Sequence, residues 1–283
     1  MMKSNLMKGV VAATLLSLSA SAALASDGMR QVEAERLLVI DTNKGRILVE
    51  MNPDIAPLHV QRIRLLAGEG FYDNVKWHRV IDGFMAQTGD PTGTGEGESQ
   101  YEDLKAELTF RRMEGSTFTT VAQPMGLQIG LMDTVPVFSQ HDRYMARSSD
   151  GRVSAWGTYC PGVAGMARDD DENSANSQFF LMRSAYPSLD KRYSIWGRVI
   201  AGQDVVDSLK DSPLPSGMVD GPDVMLRVRT GDQLNQNERP TVRVSDTRSS
   251  QFAEQVAAVR AERGADFSVC DLPIRVEITA TQR

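Results

Sequence analysis

The stretch His78–Pro91 reads HRVIDGFMAQTGDP, and it decides how the rest of the chain is understood. It holds one arginine, Arg79, a Phe84-Met85 pair and Gln87 between glycines, yet no serine or cysteine nucleophile and no metal-ligand spacing. A second segment, Ser177–Met182 or SQFFLM, repeats the theme. On a strand, Gln178, Phe180 and Met182 share one face while Phe179 and Leu181 share the other. An arginine among amide side chains and apolar walls suits a reaction that breaks no covalent bond. His78 adjoins Arg79, but neighbours on a strand point to opposite faces, so His78 is read as structural.

Upstream, Arg36–Met51 is two apolar runs around Asn43-Lys44-Gly45, the signal of a hairpin. Pro57 suits a first helical turn, Val60, Ile63, Leu66 and Ala67 recur at helical spacing, and Gly68 ends the run. Downstream, Tyr193–Gly202 reads as a strand. Gln203–Pro213 reads as a short helix with Val205, Val206 and Leu209 inward, and Asp223–Thr230 as the last strand of the unit. Many short strands with two helices point to a mainly β fold, an antiparallel barrel capped by helices. Met113–Thr158 has no sustained period and is too long for a plain loop, so it is read as an inserted subregion on the barrel rim. After Gly231 come a polar linker, a strand (Thr241–Asp246), a helix (Phe252–Arg263) ended by Gly264, and a strand (Pro273–Thr279), a small β-α-β appendage.

The 283 residues are 41% hydrophobic and 24% charged, as in an ordinary globular protein. Residues 1–25 stand apart: Lys3 and Lys8 precede an apolar run from Val10 to Leu24, and Ala23-Leu24-Ala25 has the form of a signal-peptidase site. The run is shorter than the roughly 20 residues of a spanning helix. Cleavage after Ala25 would leave an exported, soluble, periplasmic protein with no membrane span. It would also remove two lysines and no acid, leaving 29 basic against 37 acidic residues and a formal charge of −8. Such a balance argues against nucleic acid as a partner. The only two cysteines, Cys160 and Cys270, then meet an oxidising compartment, as a disulfide or as two buried thiols.

Several enzyme classes find no support. His59, His78 and His141 have no i,i+4 pairing and no HExxH, which leaves no zinc site, and GxSxG and GxxxxGK[ST] are absent. The glycines of TGTGEGES, Gly93, Gly95 and Gly97, lack GxGxxG order and a following apolar helix, so a flexible turn is the better reading. The acidic run Asp169–Glu172 reads as a solvated loop.

Phe71–Gly97 (FYDNVKWHRVIDGFMAQTGDPTGTGEG) resembles the central signature of the cyclophilins, and Gly162–Met182 (GVAGMARDDDENSANSQFFLM) resembles their second. LDKRYSIWGRVIAGQDVVDSL resembles the third block, and the likeness covers Arg36–Thr230, interrupted by the 113–158 insertion. The resemblance implies a closed eight-stranded antiparallel barrel with two helices. It also implies peptidyl-prolyl cis-trans isomerase activity on proline-containing, unfolded or partly folded polypeptides, with no metal, nucleotide or organic cofactor. By the same resemblance Arg79 is the catalytic donor to the prolyl segment. Phe84, Met85, Phe180 and Leu189 match the pocket positions, Gln87 and Gln178 the amide positions, and Ala167, Arg168 and Tyr193 the rim.

Rotation about a prolyl bond costs about 18–20 kcal/mol because amide resonance is lost. A charged hydrogen bond contributes about 1.5–3 kcal/mol, whereas a thousandfold acceleration needs about 4 kcal/mol, so Arg79 cannot act alone. The rest must come from holding the ring in an apolar pocket. Ser188 stands where many cyclophilins have tryptophan, which argues against tight cyclosporin binding, and Tyr193 stands where they have histidine. Arg168 replaces the asparagine of their Met-Ala-Asn, which alters the rim. The chain thus divides into a signal peptide (1–25), an isomerase-like domain (26–230, with the insertion 113–158) and a C-terminal extension (231–283). The alternative is a cyclophilin-shaped binding module or chaperone in which turnover is incidental.

Overall fold

The computed structural model describes residues 27–213 and 218–279, so the expected signal peptide lies outside the described residues. The chain runs through β1 (Met29–Gln31), β2 (Leu37–Thr42), β3 (Gly45–Met51), α1 (Pro57–Gly68), β4 (Val75–Lys76), β5 (Arg79–Ile81) and β6 (Met85–Thr88). Next come β7 (Phe110–Arg112), β8 (Phe118–Ala122), β9 (Leu127–Met132), β10 (Val135–Gln140) and β11 (Val153–Gly157). They are followed by β12 (Val163–Met166), β13 (Phe179–Met182), β14 (Ile195–Ala201), α2 (Gln203–Asp207) and β15 (Val224–Thr230). The chain closes with β16 (Thr241–Ser245), α3 (Ser250–Arg263) and β17 (Val276–Thr279).

The main sheet is antiparallel with the order β4-β15-β2-β3-β14-β12-β13-β6-β5. This corrects the closed eight-stranded barrel expected from sequence: the sheet has nine strands and is a strongly curled half-barrel without closure. Its edge strands β4 and β5 are only Trp77 and His78 apart in the chain, so the curl brings the edges together. No ladder joins them because Ser212, Val219 and Asp223 take backbone groups along the seam. Trp77 N–H donates to the Asp223 carbonyl (2.9 Å), Val80 N–H to Ser212 Oγ (2.8 Å), and Val219 N–H to the His78 carbonyl (3.1 Å).

Inside the curl, fully buried Phe179 is met edge-on by Tyr72, Trp77 and Trp196, with ring centroids 5.5, 6.2 and 5.5 Å away. Each such pair contributes about 0.5–1.5 kcal/mol beyond burial. Helix α1 buries Val60, Ile63, Leu66 and Ala67 as its spacing predicts. Ala56 cannot cap it, so the Glu107 carboxylate accepts the exposed N–H groups of Leu58 (3.2 Å) and His59 (3.1 Å) from a distant segment.

Residues 113–158, which show no period in sequence, join Phe110–Arg112 in a five-stranded antiparallel sheet, β7-β11-β10-β9-β8. The pattern was hidden because polar groups lie inside it. Buried Arg112 donates to Ser139 Oγ (2.9 Å) and Gln128 Oε1 (3.1 Å) and pairs with Asp142. The β9–β10 turn docks on the main sheet: Thr134 Oγ1 donates to Glu50 (2.7 Å) and Arg198 to the Thr134 carbonyl (3.0 Å).

The tail is a three-stranded sheet, β1-β16-β17, with α3. The β-α-β appendage expected from sequence therefore gains an N-terminal strand, β1, too short to carry a period. Val242 and Val244 of β16 cover Leu37, Val39 and Leu48 on the outside of the main sheet. Cys160 and Cys270 form a disulfide with Cα atoms 5.2 Å apart, tying the tail to the segment before β12.

The bond closes a loop of 110 residues, a constraint on the unfolded chain typically worth about 2–4 kcal/mol. Replacing both cysteines by serine is expected to lower the calorimetric unfolding midpoint by roughly 5–15 °C. An unchanged midpoint would show that the tail holds without the bond.

Candidate active site

Strand register assembles the site. Arg79 pairs with Gln87 across β5–β6, Gln87 with Phe180 across β6–β13, and Phe180 with Gly165 across β13–β12. One transverse row of the sheet therefore carries an arginine, an amide, an aromatic ring and a gap. Because side chains alternate, Met85, two residues from Gln87, and Gln178, two from Phe180, share that face. His78 is buried, and that burial is the chief cause of its lowered pKa, opposed by Asp90 and the Gln178 side chain beside it.

Nine of the ten residues singled out from sequence line one hollow of about 140 Å³: Arg79, Phe84, Met85, Gln87, Ala167, Arg168, Phe180, Leu189 and Tyr193. Pockets for drug-sized ligands are typically about 300–1,000 Å³, so this one suits a single ring-sized side chain. Gln178 lines the adjoining depression, which shares Gln87, Ala167 and Arg168 with the hollow. Phe180 meets Tyr193 edge-on at 5.7 Å, and Phe84 leans on Tyr186 at 4.6 Å. The Arg168 guanidinium lies 4.8 Å over the Tyr193 ring and donates to the Arg192 carbonyl from Nε (3.2 Å) and Nη2 (3.0 Å). Arg168 and Tyr193, two of the three departures noted in the sequence, thus form one piece of rim. Asp169–Glu172 are exposed beyond it.

A one-way chain of hydrogen bonds orients the polar side. Arg79 Nη1 donates to Gln87 Oε1 (3.2 Å), Gln87 Nε2 to Gln178 Oε1 (2.9 Å), and Gln178 Nε2 to the carbonyls of Gly95 (2.9 Å) and Gly97 (3.0 Å). Among the described residues no carboxylate pairs with Arg79. Burial pulls its pKa down, opposed by Tyr193, but arginine starts so high that it stays charged at neutral pH.

The chain ends on Asp90, a residue that sequence reading passed over. Fully buried, its carboxylate accepts N–H groups from Thr92 (2.7 Å), Thr94 (2.9 Å) and Gly95 (2.6 Å) and the Thr92 hydroxyl (2.7 Å). An internal carboxylate thus takes the donors that a phosphate would need, and the glycine-rich turn is tied down. The available signal was an aspartate opening a run of Thr and Gly, the pattern of side-chain-to-backbone turns. Gly165 and Tyr159 were also missed: a Cβ at Gly165 would lie 2.5 Å from Phe180 Cζ and 2.6 Å from Tyr159 Oη.

Burial alone would raise the Asp90 pKa, but the Thr92 hydroxyl and the N–H groups of Thr92, Gly97 and Gly95 outweigh it. They hold the carboxyl well below the ordinary carboxylate range. A depressed folded pKa adds stability above the unfolded value of about 3.9, lost as pH falls from there toward the folded value. Asp90→Asn is therefore expected to cost about 1.5–3 kcal/mol in urea unfolding at neutral pH. The gap to wild type should narrow below about pH 4; a gap independent of pH would count against the carboxylate as the anchor.

Residues 37–230 match the family model described as cyclophilin type peptidyl-prolyl cis-trans isomerase/CLD. A probable peptidyl-prolyl cis-trans isomerase of Brucella suis is 32% identical over 207 residues, 69% of this chain and 82% of its own. The crystal structure of cyclophilin AquaCyp293 from Hirschia baltica overlays with a TM-score of 0.82 at 33% identity, covering 90% of this chain and 95% of that one. At 90% of the chain, that overlay extends beyond residues 37–230. The matched stretch contains the whole of the row from Arg79 to Gly165 and every wall of the hollow, and the chain belongs to the cyclophilin-type peptidyl-prolyl cis-trans isomerases.

Proposed function

We propose that this chain accelerates Xaa-Pro rotation in proline-containing, unfolded or partly folded polypeptides outside the cytoplasm, without a cofactor. The observation that carries the reading is an arginine with no carboxylate partner among the described residues, set beside an apolar hollow of ring size. The prolyl ring sits between Phe84, Met85, Phe180 and Leu189, and Arg79 donates to the prolyl nitrogen as its lone pair localises. Gln87 fixes the guanidinium, and Gln87 and Gln178 meet the peptide backbone. A fixed charged donor acts on the twisted amide more than on the planar one, which is what lowers a barrier.

In a proteolysis-coupled Xaa-Pro peptide assay, Arg79→Ala should lose one to two orders of magnitude in kcat/KM, as for one charged hydrogen bond. Gly165→Ala should lose at least about tenfold by forcing Phe180 toward the hollow. Wild-type activity no greater than that of Arg79→Ala would refute the reading. Exposed Met113 on the insertion favours a second one, client binding without turnover. Suppressed aggregation of a proline-free client, retained in Arg79→Ala, would support it.

Export rests on residues 1–25 and on the disulfide, and no helix among the described residues is long and apolar enough to cross a membrane. Periplasmic fractionation followed by N-terminal sequencing should find a chain that begins at Ser26. A cytoplasmic protein that begins at Met1 would exclude export.

A further inference from the structure

Tyr159 lies two residues beyond the end of β11 and one before the disulfide-bonded Cys160, and the mechanism above does not use it. It is fully buried, and it touches both walls of the hollow. Its ring stacks on Phe180 with centroids 5.7 Å apart and 26° between planes. Its hydroxyl donates to the Tyr193 carbonyl at 3.1 Å. Its backbone N–H donates to Asp190 Oδ1 at 3.0 Å, and its carbonyl accepts the Tyr186 N–H at 2.8 Å. Gly165 leaves the space that the hydroxyl and the Phe180 ring share.

The facing wall needs such a tie. Leu189 and Tyr193 sit in a segment between β13 and β14 that is held at its ends, by Arg183 N–H on the Phe84 carbonyl (2.9 Å) and Met166 N–H on the Ser194 carbonyl (2.9 Å). The bonds within it are local, Leu189 N–H to the Tyr186 carbonyl (3.1 Å) and Arg192 N–H to the Leu189 carbonyl (3.0 Å). Local bonds shape the segment without placing it against the sheet. Three of its bonds to the rest of the protein go to Tyr159, and the Arg168 guanidinium supplies two more at Arg192.

We infer that Tyr159 is a positioning residue that sets the distance between the two walls of the hollow, Phe180 on β13 and the segment carrying Leu189 and Tyr193. The inference rests on the isomerase reading of that hollow. Burial raises the Tyr159 pKa well above its ordinary value, so the phenol remains a neutral donor. Tyr159 also joins the insertion sheet on one side to the disulfide-anchored tail on the other, so both additions to the domain bear on the width of the hollow.

The test is steady-state isomerisation of an Ala-Ala-Pro-Phe peptide by the full mature chain and two variants. Tyr159→Phe keeps the ring on Phe180 and removes only the bond to Tyr193. Tyr159→Leu removes both contacts. The hollow grips the ring in the ground and transition states alike, so looser walls should raise KM about three- to tenfold in Tyr159→Phe and further in Tyr159→Leu, with kcat within about twofold. Arg79→Ala should show the opposite split. A residue that served only global stability would lower the active fraction, reducing apparent kcat and leaving KM alone, and that result overturns the inference. So does wild-type KM in Tyr159→Phe with native near-ultraviolet circular dichroism, which holds even if Tyr159→Leu fails to fold. Wild-type protein without turnover would sink the isomerase reading as well, whereas an active wild type with unchanged KM in the variants sinks the Tyr159 inference alone.

Discussion

Two residues, Trp77 and His78, separate the strands at opposite edges of a nine-stranded sheet, and that short link obliges the sheet to curl on itself. The rest of the structure depends on it. The concave side fills with Phe179, Trp196, Tyr72 and Trp77 itself, packed edge-on against Phe179. The other side of the same strands faces out and carries the hollow. On β13 the division is one residue wide: Phe179 belongs to the core and Phe180 to the site.

Precision at the site follows from this arrangement. A ladder fixes Arg79, Gln87, Phe180 and Gly165 in one row, and a register slip of one residue would turn all of them inward. Across that row the Asp90 carboxylate, through the glycine-rich turn and two glutamines, orients the arginine. The apolar wall on the far side is less regular, being held by loop contacts around Tyr159 and by Arg168 on Tyr193.

Much of this was legible in the sequence, and where it was not there are physical reasons. SQFFLM could be read because its two faces have different tasks, and α1 because Pro57 and Gly68 mark its ends. The β2–β3 hairpin was legible at its turn, although the tail covers its outer face and leaves nearly every residue buried. Nine strands in place of eight, and an unclosed seam, could not be counted from strands of two or three residues. The insertion sheet escaped because Arg112, Gln128 and Ser139 are buried polar groups that break alternation. Asp90 left a signal in the Thr and Gly that follow it, but one of turn geometry and not of chemistry, whereas Tyr159 left none because it acts on residues distant in sequence.

The most direct measurement is magnetisation-exchange NMR on an Ala-Pro-containing peptide with a small amount of the mature protein. The free peptide interconverts over tens to hundreds of seconds, too slowly to exchange magnetisation between its cis and trans signals within a second. Catalysis at the hollow predicts cis–trans exchange cross-peaks on that timescale. Their absence, under conditions where the peptide shifts the resonances of Phe180 and Tyr193, would mean that the hollow holds proline without turning it.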